Sequence, residues 1–152
     1  MSELHWKQGD AVLHAFEREL LVSNKVYEPV TQTPAEHVVR TTNEDGSDGV
    51  PYKPKAFPVG VWSVYTPLAR TSMYTAPYFI PTNACQLVEE WTLDEHGLYQ
   101  YPAGRSVMDY GYGLHHSAIE YTFGCLRIVN VPDLLWLVER LKQEGLVHME
   151  VT

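Results

Sequence analysis

The chain has 152 residues, of which 45% are hydrophobic, so it suits one domain with a buried core and is not a disordered chain. Its formal net charge is −8 and it has no cluster of Lys and Arg, which argues against a phosphate-binding surface for nucleic acid. No apolar run approaches the ~20 residues that a membrane-spanning helix needs.

The first half of the chain predicts short strands joined by turns. Residues 10–30 are rich in Val and Leu and predict two strands or one hairpin, and residues 36–42 predict another strand. Residues 43–58 hold three acidic residues, two glycines and three prolines, which indicates a surface loop. β-branched and aromatic residues then predict a strand over 59–66.

The second half predicts a flap, a helix and a last strand. Prolines and glycines interrupt residues 67–105, which we interpret as short strands and turns that form a flap or an insertion over a groove. Residues 131–145 predict a helix, with Pro132 near its first position and Gly145 at its end. Its apolar stripe consists of Leu134, Leu137, Val138 and Leu141. Residues 146–151 predict a final strand, so the expectation is one mainly β domain over 1–152.

Two adjacent histidines, His115 and His116, precede Cys125 by about one strand and a turn. An imidazole beside a cysteine can accept the thiol proton and later return it to a leaving amine. Gly124 leaves the backbone free to approach a carbonyl, so amide N–H groups of Gly124 and Cys125 are candidates for an oxyanion hole. On composition alone, a buried structural cysteine with two incidental histidines is the simpler interpretation.

The segment "TFGCLRI" (122–128) resembles the signature of the L,D-transpeptidase catalytic domain, in which Ser/Thr-x-Gly-Cys is followed by an apolar residue and then Arg or Asn. "GYGLHHS" (111–117) is similar to the element that carries the family's histidine, and "FPVGVWSV" (57–64) to an upstream strand, with Phe57 in place of Thr. The ten-residue spacing from His115 to Cys125 resembles that of compact effectors delivered by type VI secretion systems. Phe123 stands where the family usually has His.

The resemblance implies a β-sandwich or barrel of L,D-transpeptidase type with a C-terminal helix and a final strand. It makes Cys125 the nucleophile and His115 the base, with His116 as the alternative base. The family's third catalytic member is often a backbone carbonyl, so neither Asp109 nor Glu120 is required. Candidate substrate-binding residues are Tyr112, Thr122 and Arg127, although Arg127 suits an ordinary surface ion pair equally well. Candidate lid aromatics in the flap are Tyr74, Tyr78 and Phe79.

The implied activity is peptidoglycan transpeptidation without a cofactor or a metal. The enzyme would remove the terminal D-Ala of a stem tetrapeptide and pass the acyl group to an amine, giving a 3–3 cross-link or D-amino-acid exchange. With water as the acceptor it would be an L,D-carboxypeptidase. A zinc site built from Cys85, His96, one of the paired histidines and Cys125 fits no known ligand spacing.

The first residues contain no basic segment followed by an apolar one, so no secretory signal is predicted. We therefore expect synthesis in the cytoplasm and action in the periplasm after export by a specialised secretion system. The expected partners are peptidoglycan stem peptides and an immunity protein, with no nucleic acid and no membrane insertion. The alternative function is a non-catalytic module of a phage or secretion particle that binds wall peptides or a protein through the same groove.

Overall fold

The computed structural model describes residues 2–30 and 38–152, with the side chains of residues 100 and 101 left out. Within these ranges the chain forms thirteen strands and one helix. The elements are β1 Leu4–Trp6, β2 Val12–Ala15, β3 Arg18–Ser23, β4 Arg40–Thr42, β5 Asp48–Pro51, β6 Gly60–Val64, β7 Leu68–Ala69, β8 Tyr78–Pro81, β9 Gln86–Leu93, β10 Tyr99–Asp109, β11 Gly113–His115, β12 Leu126–Ile128, α1 Val131–Gln143 and β13 Val147–Val151.

The predicted fold class is confirmed: the protein is mainly β, with one helix near the C-terminus and a final strand. The predicted hairpin is β2–β3 and the predicted strand over 59–66 is β6. The first residues of the strand predicted over 36–42 lie outside the described residues, and β4 is its described part. β1 has no counterpart in the sequence prediction because its three residues are too few to show a period.

Nine strands form one curled sheet in the order β6-β13-β1-β2-β3-β12-β11-β8-β7. The sheet closes on itself where an antiparallel bridge joins Val64, at the end of β6, to Thr82 just after β8. Two backbone bonds support this closure, from Tyr65 N–H to Pro81 O at 2.9 Å and from Asn83 N–H to Ser63 O at 3.2 Å. The curled sheet belongs to the β-sandwich or barrel class.

The apolar stripe of α1 is buried against the sheet, as its spacing predicts. Alternation along β13 turns its odd-numbered residues inward and leaves His148 and Glu150 half-exposed. The helix lies against β12, which follows Cys125, and against β8, the sheet neighbour of β11. The described residues contain no helix long and apolar enough to cross a bilayer.

Residues 67–105 are more than a flap, because β8 is an integral strand of the large sheet. β9 and the first part of β10 lie outside that sheet and pair with each other in a separate antiparallel hairpin. The loop predicted over 43–58 also differs from expectation, since it contains β5 and two buried aromatic side chains, Tyr52 and Phe57. Tyr52 pairs with Glu90 of the β9–β10 hairpin, which gives this part of the segment a surface to pack on. Phe57 is instead part of the main core and packs on Tyr112.

Candidate functional site

A pocket opens at the end of the large sheet, and both His115 and Cys125 line it. Its walls come from five separate parts of the chain: β4, Tyr52, the stretch from 74 to 79, the segment from 109 to 117 and the turn from 121 to 125. Aromatic side chains make up much of the wall, namely Tyr52, Tyr74, Phe79, Tyr121 and Phe123. Tyr74, Tyr121 and Phe123 are exposed and form the rim of the opening.

The strand register brings the histidine and the cysteine to the same face of the sheet. β11 and β12 are parallel neighbours, with Leu114 opposite Leu126 and His115 opposite Arg127. Both leucines are fully buried in the core, whereas the neighbouring His115 and Cys125 line the pocket. Cys125 directly precedes β12, so the parallel pairing of β11 and β12 brings it to the same side of the sheet as His115.

His115 is held in one orientation by the backbone. Its side chain is buried, and Nδ1 lies 3.1 Å from the carbonyl oxygen of His116. A carbonyl only accepts, so Nδ1 carries the hydrogen and Nε2 keeps its lone pair. Burial lowers the pKa of His115, and the nearby positive charges of His116 and Arg127 lower it further, against the opposing hydrogen bond to the carbonyl. The imidazole is therefore neutral at pH 7.

The Cys125 thiol is a donor in the resting protein. Its Sγ lies 3.4 Å from the carbonyl oxygen of Gly111 and donates to it. Burial raises the pKa of the thiol to about 12, and the charge of Asp109 adds to this, although the backbone N–H of Gly113 opposes it. Part of the residue reaches the pocket, yet protein atoms surround the sulfur closely enough to desolvate a thiolate. The resting pair is thus a neutral thiol and a neutral imidazole.

The turn before Cys125 is braced by side-chain hydrogen bonds. Thr122 Oγ1 donates to the carbonyl of Cys125 at 2.8 Å and accepts from the backbone N–H of Gly124 at 3.2 Å. Asn24 Nδ2 donates to the carbonyls of Gly124 and Cys125 at 3.0 and 2.9 Å. Two sequence-based roles need correction here. The Gly124 N–H is already engaged and is not a free oxyanion donor, and the hydroxyl of Thr122 braces the turn although the residue lines the pocket.

Gly124 has a steric role that its sequence context did not indicate. Its φ is +121°, and a Cβ there would lie 2.5 Å from the carbonyl oxygen of Lys55 and 2.7 Å from Cε1 of Tyr112. Those distances are shorter than real Cβ contacts, so a side chain at this position would displace backbone. The glycine lets the turn pass close beneath the loop that carries Lys55.

Tyr112 is a core residue rather than a wall of the groove, which corrects the sequence-based role. Its side chain is 1% exposed and packs edge to face on Phe57 at 5.7 Å between ring centroids. Its hydroxyl accepts a hydrogen bond from Gln86 Nε2 at 2.8 Å. Tyr112 lies just before β11, so the side-chain alternation that turns His115 toward the pocket does not apply to it.

His116 and Arg127 do not line the pocket. His116 follows β11, and its Nδ1 contacts the carbonyl oxygen of Ile128 at 2.9 Å, on the side away from the thiol. Arg127 is half-buried and donates from Nε to the carbonyl of Ser117 at 3.0 Å, so it braces the β11–β12 connection. The structure therefore brings Cys125 together with His115 and not with His116.

Two charged residues of the pocket have no role in the sequence-based prediction. Asp109 is 2% exposed, lines the pocket and accepts from the backbone N–H of Thr42 at 2.8 Å. Burial raises its pKa, although its hydrogen bonds oppose the shift. Arg40 enters the pocket from β4 and was not considered, because a lone Arg in a short strand carries no motif.

Within the described residues, no cluster of three or more His, Cys, Asp or Glu side chains is placed to hold a metal ion. Of the four positions weighed for zinc, His96 is an exposed residue that pairs with Glu95, and Cys85 is a free cysteine outside the pocket. The zinc interpretation therefore gains no support from the geometry.

No protein-family model matches the chain, and no curated protein or solved structure matches it. The case for a function consequently rests on the pocket and its residues.

Proposed function

We propose that this chain is a cysteine acyl-transfer enzyme of L,D-transpeptidase type that acts on peptidoglycan stem peptides. The observation that carries the proposal is that His115, at the end of β11, and Cys125, directly before the parallel neighbour β12, line one open pocket. The anchoring of His115 Nδ1 by a backbone carbonyl supports it, because that contact leaves Nε2 as the nitrogen able to accept a proton. A merely structural cysteine has no need of such an imidazole.

In the proposed reaction, Cys125 Sγ attacks the carbonyl carbon of the bond that joins the third residue of a stem tetrapeptide to its terminal D-Ala. The thiol proton passes to His115 Nε2 as the S–C bond forms. Collapse of the tetrahedral intermediate breaks the C–N bond, and the imidazolium protonates the departing amine of D-Ala. The resulting thioester is then attacked by an amine, which gives a cross-link or an exchanged D-amino acid, or by water, which gives the shortened peptide.

The neutral resting pair determines how His115 acts in this scheme. A thiol with a pKa near 12 supplies almost no thiolate at neutral pH, so the proton must leave in the same step as the attack. The lowered pKa of His115 keeps the imidazole in its basic form over the whole neutral range. General-base catalysis by a neutral imidazole, rather than a preformed ion pair, is therefore the mode that fits this pocket.

The exposed aromatic rim suits a peptide substrate and a role outside the producing cell. Tyr74, Tyr121 and Phe123 would cover the bound peptide and reduce the access of water to the thioester, which favours an amine acceptor. In the proposed setting, the protein reaches the periplasm of a target cell through a specialised secretion system. An immunity protein would then act by covering the same rim.

The test is incubation of the purified protein with stem tetrapeptides, followed by mass spectrometry of both peptide and protein. We expect release of D-Ala, and a thioester adduct on Cys125 when the reaction is quenched in acid. Cys125→Ala should abolish both signals, and His115→Gln should lower the rate by a factor of about 10² to 10⁴, the usual contribution of a positioned base. Cys85→Ala is the matched control, since it removes the chain's other cysteine, which does not line the pocket. Equal release of D-Ala by wild type and Cys125→Ala would refute the proposal that the protein is a cysteine enzyme.

The second candidate function is a binding module that uses the pocket without chemistry. The observation in its favour is the protonated, hydrogen-bonded thiol of the resting state. Saturable binding of a stem peptide by wild type and Cys125→Ala alike, with no adduct and no D-Ala released over many hours, would select this function.

A further inference from the structure

The two charged side chains that line the pocket, Asp109 and Arg40, differ in their exposure to solvent. His115 is neutral at pH 7, and the carboxylate of Asp109 is buried and already accepts backbone hydrogen bonds. Arg40 lines the same pocket and is exposed. A guanidinium is a cation with N–H donors and no acceptor. Arg40 is therefore the charged side chain of the pocket that a ligand can reach from solvent, whereas Asp109 is buried, and this favours an anionic group beside Arg40.

Arg40 also has hydrogen-bonding capacity to spare. The bond recorded for its guanidinium runs from Nη1 to the carbonyl of Gly49 at a long 3.3 Å. No carboxylate of the described residues lies within ion-pair distance of it, whereas Arg105 and Arg140 each pair with glutamate. A guanidinium carries five N–H donors in a planar fork that matches a carboxylate. As far as the described residues go, most of these donors have no partner and can serve a ligand in the pocket.

Arg127, the arginine beside the nucleophile, is not equivalent. Its Nε is committed to the carbonyl of Ser117, and the residue does not line the pocket. Anion recognition is therefore assigned to Arg40, which together with Thr42 forms the β4 wall of the pocket.

We propose that Arg40 binds the terminal carboxylate of the substrate and so makes the pocket specific for the free end of a peptide. This inference rests on the proposed function, in which Cys125 attacks the last peptide bond. In such a substrate the carboxylate lies one residue beyond the attacked carbonyl, so a cation on a neighbouring wall fixes the register of the chain on the thiol. An internal peptide bond, or an amidated end, would place no charge opposite Arg40.

The test measures binding without chemistry, by titration calorimetry on Cys125→Ala, which separates this inference from the proposed reaction. The two ligands are a stem tetrapeptide with a free terminal carboxylate and the same peptide with only that carboxylate amidated. We expect the free acid to bind at least about tenfold more tightly, as for a charge-assisted bidentate pair. Arg40→Gln should abolish the difference, and Arg40→Lys should retain part of it because a point charge remains.

Arg70→Gln is the matched control, since Arg70 is also exposed, donates to the single carbonyl of Ala69 and does not line the pocket. It should leave the preference for the free acid unchanged. Equal affinity for the two peptides, or a preference that survives Arg40→Gln, overturns the inference. If the preference depends on Arg40 but wild type releases no D-Ala, the carboxylate site stands and the proposed reaction fails.

Discussion

At the scale of single residues, Cys125 and His115 illustrate how burial decides protonation. Protein atoms surround both ionisable groups, and burial favours the uncharged form of each, so the pKa of the thiol rises and that of the imidazole falls. Asp109 pushes the thiol in the same direction, because a thiolate beside a carboxylate is a pair of like charges.

This arrangement predicts a slow, strongly pH-dependent reaction of Cys125 with iodoacetamide. In a Cys85→Ala background the alkylation rate at pH 8 should be at least about a hundredfold below that of a free thiol, whose pKa is about 8.5, and should still rise above pH 9. Because the pKa in the folded protein exceeds the ordinary value, the protein should also lose stability as the pH rises above about 8.5.

Asp109→Asn should lower the pKa of the thiol and speed alkylation at pH 8, because it removes the neighbouring negative charge. The same protein in 8 M urea serves as the reference for a free thiol. An alkylation rate that levels off below pH 8 in the folded protein would contradict the protonated resting state. It would point instead to a preformed ion pair with His115.

At the scale of elements, the turn between β11 and β12 sets the position of the nucleophile. The two strands are parallel, so the connection must return along the sheet and re-enter beside β11 within ten residues. Gly124 makes this possible with a positive φ and a backbone pressed against Lys55. Hydrogen bonds from Thr122 to the carbonyl of Cys125 and from Asn24 to the carbonyl of Gly124 then fix the backbone of the turn.

Gly124→Ala should destabilise the protein by about 2–3 kcal/mol, because it combines an unfavourable φ with a clash against backbone. Gly145→Ala is the control: nothing lies within 4 Å of a Cβ there and its φ is not in the left-handed region, so its effect should stay within about 0.5 kcal/mol. Urea denaturation followed by tryptophan fluorescence measures both. A Gly124→Ala variant as stable as wild type would show that the turn relaxes.

At the scale of the whole molecule, the first and last strands pair with each other inside the large sheet. β13 lies between β6 and β1, in parallel with the N-terminal strand, so the last strand joins residues that are far apart in sequence. Met149 is fully buried there, opposite Leu4 on one side and Trp62 on the other. Loss of packing at this point affects the sheet that carries the pocket at its other end.

Met149→Ala should therefore cost about 2–5 kcal/mol of unfolding free energy, and the unfolding should remain a single transition. Met108→Ala makes the same substitution at an exposed position of β10 and should cost less than about 1 kcal/mol. Thermal and urea unfolding compare the two. An equal effect of both changes would mean that β13 is not part of the cooperative core.

Local periodicity and composition are enough to predict several elements of this fold. Alternating and β-branched residues predicted the β2–β3 hairpin, β6 and the final strand, and the stripe from Leu134 to Leu141 with Pro132 and Gly145 predicted α1. The sequence also predicted His115 and Cys125 as a candidate base and nucleophile. These inferences succeed because each depends on neighbours within a few residues along the chain.

Which side chains meet in the pocket depends on contacts between segments that are distant in sequence. The parallel register of β11 and β12 placed His115 in the pocket and His116 outside it, and packing on Phe57 took Tyr112 into the core. The approach of β4 added Arg40, which no motif marks. Contacts between strands distant in sequence depend on register, and a shift of one residue reverses every side chain, so local pattern cannot fix them.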